Sequence, residues 1–155
     1  MESREAVNMS KFNTIKEVLD FAINEEIKSY SFYLELAEFV EQPEMANALT
    51  DLASEELRHK AKLEAVRAGQ ITLDEEEIGN LGIAESVSDI EPDAKMDYLD
   101  MLIVGIKREE QACRLYTNLA SIALNRQTKD IFTQLAHEEA GHKLRFEIEY
   151  ELMTF

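Results

Sequence analysis

Apolar residues recur at helical spacing along most of this chain. After Thr14, the positions Ile15, Leu19, Ala22, Ile23, Tyr30, Tyr33, Ala37 and Val40 trace one face of a helix, and Glu17 completes a capping box at its start. Pro43 suits the first turn of a second helix, whose stripe of Leu49, Leu52, Ala53, Leu63 and Val66 continues until Gly69. A third helix begins near Asp97, with Asp100 at the capping spacing, and reaches about Leu124. The fourth starts around Gln127 and runs through Phe132, Leu135, Phe146 and Tyr150 towards the C-terminus. The pattern predicts helix pairs over about 14–68 and 97–152.

Very short turns join the members of each pair, so each pair must be an antiparallel hairpin. Between the pairs, residues 69–96 carry Gly79, Gly82, Pro92 and the acidic run Asp74 to Glu77. That stretch is too polar and interrupted for a core helix, yet at about 3.3 Å per residue it can travel the length of a bundle. The expectation is one all-α domain over 1–155, a four-helix bundle of two antiparallel hairpins joined by a long crossover.

The two halves are also copies of one another. Adding 83 carries Leu19 to Leu102, Ile23 to Ile106, Glu26 to Glu109 and Tyr33 to Tyr116. The same step carries Thr50, Leu52, Ala53, Glu55, Glu56, His59, Lys60 and Glu64 to Thr133, Leu135, Ala136, Glu138, Glu139, His142, Lys143 and Glu147, with no gap. Internal duplication of a helix pair explains this better than coincidence.

The duplicated residues suggest chemistry. Residues three apart share a helix face, so Glu56 with His59, and Glu139 with His142, can each grip one metal ion. The first and third helices each offer adjacent acids, and the repeat chooses between them: Glu26 pairs with Glu109, whereas Glu25 falls on Arg108. Two core-facing glutamates plus two E-x-x-H pairs form the ligand set of a carboxylate-bridged two-metal site. Four ionised carboxylates converging in an apolar bundle require compensating charge, which two divalent ions supply. Carboxylate and imidazole ligands suit iron or manganese, and zinc binds them too, so the donors alone do not choose the metal. His137 should face away from the site, and Glu55 and Glu138 should lie at the surface or just outside the ligands. Tyr33 and Tyr116 either hydrogen-bond the carboxylates, carry electrons, or simply pack the core. Cys113 reads as a packed thiol.

Composition excludes several classes. The formal charge of -16 disfavours nucleic acid as a partner and concentrates metal cations. A single cysteine rules out a disulfide framework and fits a reducing compartment. No apolar run approaches the roughly 20 residues of a membrane span, and the N-terminus lacks a signal peptide's apolar stretch, so a soluble cytoplasmic protein is expected.

The segments EEIKSYSFYLELAE, LASEELRHK, KREEQACRLYTNLA and LAHEEAGHK closely resemble rubrerythrin-like members of the ferritin-like superfamily, as does the linker IAESVSDIEPDAKMDYLDMLI. The resemblance implies a non-haem di-iron centre in a four-helix bundle, with Glu56 and Glu139 bridging two irons capped by Glu26, His59, Glu109 and His142. It also implies chemistry on hydrogen peroxide or dioxygen, with electrons from a rubredoxin-type partner. Rubrerythrins proper add a four-cysteine rubredoxin domain, absent from this sequence, and a further ligand glutamate where Ala112 stands here. The remaining set looks more like the symmetric centre of ferritins. Three functions are therefore expected: a di-iron peroxidase or oxidase served by a separate electron donor, an iron oxidation, storage or delivery protein, or a metal-braced interaction bundle. A homodimer is expected in each case.

Overall fold

The computed structural model describes residues 12–70, 73–80 and 96–155. The chain is an all-α, ferritin-like bundle built from α1 (Ile15–Phe39), α2 (Pro43–Ala65), a short α3 (Glu75–Ile78), α4 (Tyr98–Ser121) and α5 (Arg126–Thr154). Among the described residues, no helix is long and apolar enough to cross a membrane.

The helix starts follow local chemistry. The Thr14 side chain accepts the Glu17 N–H as predicted, while Glu17 Oε1 accepts from the Thr14 hydroxyl and the Asn13 N–H in place of the Thr14 N–H of a full capping box. Asp97 and Asp100 build the matching box on α4, and Pro43 opens α2. The start of α5 is capped by Asn125, which accepts from Thr128.

The helix ends depart modestly from expectation. The α-helical part of α2 stops at Ala65, and the chain widens into a π turn over Val66–Gln70, within which Gly69 turns left-handed at φ 91°. Helix α4 stops at Ser121 rather than near Leu124 because the following residues pair with the crossover: the Asp74 N–H donates to Ile122 O at 2.9 Å, and Leu73 bridges Ala123. The acidic run forms one helical turn capped by Asp74, with Leu73 and Ile78 buried beneath it. Glu75 then reaches back to accept the Ile15 N–H at 2.9 Å, satisfying an open donor at the start of α1. The predicted path through Gly82 and Pro92 lies outside the described residues.

Two apolar clusters fill the bundle. One combines Val18, Leu19, Ala22, Ile23, Leu63, Leu115, Tyr116, Leu119, Ala120, Phe132, Leu135 and Ala136; the other combines Phe32, Tyr33, Leu36, Leu49, Leu52, Ala53, Met101, Leu102, Val104 and Phe146. Each draws on α1, α2, α4 and α5, and the 83-residue step exchanges them: Leu19 of the first becomes Leu102 of the second, and Tyr33 of the second becomes Tyr116 of the first. A pseudo-twofold relation between the hairpins follows. On all four helices the E-x-x-H segments and the two lone glutamates fall in the gap between the clusters.

Candidate metal centre

Glu26 follows Ala22 and Ile23 by one turn on the buried face of α1, and Glu109 follows Gly105 likewise on α4. Glu56 with His59 on α2, and Glu139 with His142 on α5, complete the gap from the other side. All six predicted donors are buried, none more than 5% exposed. They form two overlapping groups, Glu26, Glu56, His59 and Glu139, and Glu56, Glu109, Glu139 and His142. Within each group one donor atom per residue lies within 4.8 Å of the others. Glu56 and Glu139 belong to both.

The histidines point one nitrogen inward and one outward. His59 Nδ1 lies 3.1 Å from Glu26 Oε2, 3.4 Å from Glu56 Oε1 and 3.5 Å from Glu139 Oε1. His142 Nδ1 lies 3.2 Å from Glu139 Oε1, 3.3 Å from Glu56 Oε1 and 3.6 Å from Glu109 Oε2. On the outer side, His59 Nε2 meets Glu138 Oε1 at 2.9 Å, and His142 Nε2 stands 3.4 Å from Glu55 Oε2. The arrangement is crossed, since each histidine's outer carboxylate comes from the other hairpin. At His59 a proton on Nε2, held by Glu138, leaves Nδ1 with a lone pair facing the cluster, and the nearby Glu55 carboxylate favours the same tautomer at His142 without a hydrogen bond.

The donors fit a metal. Both oxygens of Glu56 and of Glu139, Glu109 Oε2 and both His142 nitrogens make no hydrogen bond, although they approach one another closely. The atoms thus converge on common points instead of on each other. Buried carboxylate oxygens left in that state cost several kcal/mol without a counter-charge.

The metal-free electrostatics carry the same message. Burial, reinforced by Glu56, raises Glu26 to about 7 against the stabilising contacts of His59 and Tyr116. Burial also raises Glu109, and it raises Glu139 strongly with help from Glu109 and Glu56. Burial alone would lower His142, but Glu109 and Glu56 more than reverse this and lift it to about 11. The apoprotein therefore stores protons where cations belong.

The surrounding residues divide the sequence expectations. Tyr116 donates to Glu26 Oε1 at 2.9 Å, whereas the buried Tyr33 hydroxyl makes no hydrogen bond and its ring packs 5.3 Å from Phe146. Of the roles open to this pair, Tyr116 takes the carboxylate bond and Tyr33 packs. His137 is exposed, and half-buried Cys113 packs against the first apolar cluster. Glu55 and Glu138 do lie just outside the donors, but which histidine each one reaches was not visible in sequence. Their match across the repeat was the available signal.

The family model described as Rubrerythrin matches residues 9–97 and 100–154. Among solved structures, a hypothetical protein from Pyrococcus furiosus has the same fold, with a TM-score of 0.71 at 24% identity over 91% of this chain and 90% of that one. No curated protein matches the chain.

Proposed function

The chain belongs to the rubrerythrin family, and from that membership and its buried cluster we propose that it is a di-iron oxidoreductase that reduces hydrogen peroxide or dioxygen. The observation that carries this reading is the pair of overlapping four-donor groups sharing Glu56 and Glu139, whose oxygens otherwise lack partners. Glu26 and His59 would hold one iron, Glu109 and His142 the other, and the shared glutamates both. Two bound irons supply the redox chemistry, one electron each.

The chain's own groups position the donors and manage protons. Glu138 and Glu55 orient the two imidazoles from behind. Tyr116 holds Glu26 Oε1 through its hydroxyl proton and leaves Oε2 towards His59. The apolar clusters on either side exclude bulk water. Reducing hydrogen peroxide to two waters takes two electrons and two protons, and the electrons would come from a separate donor protein such as a rubredoxin.

The test is anaerobic loading of the apoprotein with ferrous iron, followed by stopped-flow mixing with peroxide or oxygen in separate runs. Two irons per chain and rapid oxidation by at least one oxidant are expected, and Glu56→Ala or Glu139→Ala should lose paired binding while remaining helical by circular dichroism. Fully loaded protein inert to both oxidants would sink the reading.

A further inference from the structure

A cavity of about 20 Å³ lies between α1 and α4 and reaches Glu26. Half-buried Glu25 and Arg108 stand at its outer part, Ser29 and Ala112 line it, and buried Glu26 and Tyr116 close it on the inside. Arg108 donates to Ser29 Oγ at 3.2 Å, tying the two walls together.

The repeat shows why the cavity serves one half only. The 83-residue step maps Glu25 onto Arg108 and Ser29 onto Ala112, so these four stand close to the pseudo-twofold axis and would serve either half equally. The halves differ at three lining positions, where Phe21, Gln111 and Leu115 on the Glu26 side stand against Val104, Lys28 and Phe32 on the other, and the last of these decides whether the wall is open beside the buried glutamate. Leu115 lines the cavity on the Glu26 side, and its counterpart on the Glu109 side is Phe32. Phe32 and Phe146 cover Gly105 so tightly that a Cβ there would meet their rings at 3.4 and 3.3 Å. Leucine leaves a gap where phenylalanine fills it.

A space of this size exceeds the roughly 10–15 Å³ that one water requires, and by so little that only molecules of two or three heavy atoms can use it. We propose that the gap between α1 and α4 is the entry for small oxidants and exogenous ligands, that it admits molecules no larger than peroxide, dioxygen or azide, and that it delivers them to the Glu26 half of the centre. The proposal rests on the di-iron reading, but its test needs no turnover.

The probe is azide, added by stopped flow to protein holding two ferric ions per chain, with binding followed by absorbance. Leu115→Phe, which copies the closed half into the open one, should slow azide binding by about tenfold or more, because entry must then await movement of a ring. Phe32→Leu should leave the rate unchanged or add a second, faster phase. A Leu115→Phe protein that holds two irons and binds azide at the wild-type rate would overturn the proposal, as would slower binding in Phe32→Leu. Should Leu115→Phe fail to fold or load, Ala112→Leu is read by the same criterion. Wild-type protein that binds azide at a rate set by Leu115 yet reduces neither oxidant would retain the passage and remove the oxidoreductase reading.

Discussion

Glu55 and Glu138 differ from their neighbours Glu56 and Glu139 by one position and by everything that position decides. One residue along a helix is a rotation of about 100°, enough to move a carboxylate from the centre of the bundle to the back of a histidine. The six donors were legible because they repeat and because the intervals of three and four residues place them beside apolar positions. The outer pair repeats as well, but its reach to the opposite hairpin depends on how α2 and α5 lie against each other. A ligating histidine released from its outer carboxylate loses orientation and basicity, so Glu138→Ala should weaken metal binding by about 10–100-fold, and Glu55→Ala by less. The ordering follows from 2.9 Å at His59 against 3.4 Å at His142. Isothermal titration with a divalent metal would check it, and equal loss in both variants would show that the distance difference carries no weight.

At the scale of elements, the four long helices could be read from period and caps because both signals are local. What could not be read is local geometry set by distant chain. Helix α4 ends early where Ile122 accepts from Asp74, and the open N–H at the start of α1 is met by Glu75, 60 residues away. The acidic run Asp74 to Glu77 looked like pure connection, yet an aspartate followed by three glutamates is also a favourable helix start, with negative charge at the positive end of the turn. Ile78 supplies its buried anchor. Asn125 caps α5 well ahead of the first apolar position of its stripe, so periodicity alone does not mark the cap.

For the whole molecule, burying a cluster of acids makes stability depend on pH in a direction unusual for an acidic protein. Glu26 moves from 4.5 to about 7 on folding, so its contribution is intact below 4.5 and is lost as pH rises towards 7. His142 moves from 6.5 to about 11, so its contribution is intact below 6.5 and is lost as pH rises towards 11. Glu109 and Glu139 shift in the same sense as Glu26. The metal-free protein should therefore melt at a lower temperature at pH 8.5 than at pH 5.5, while the increase in melting temperature on adding a divalent metal should grow with pH as protons leave the donors. Calorimetry of both forms across that range distinguishes this from simple repulsion at a net charge of -16, which the metal would relieve only slightly.

Each donor group takes three members from one hairpin and one from the other: Glu139 joins the residues of α1 and α2, and Glu56 joins those of α4 and α5. A bound ion is thus a clasp across a seam that the chain itself crosses only through the connection between α2 and α4. Protein cut at a protease site introduced between residues 81 and 95 should run as a single particle in gel filtration while metal is present. Chelation should then release two fragments, and fragments that stay together after stripping would mean that the apolar seam needs no clasp.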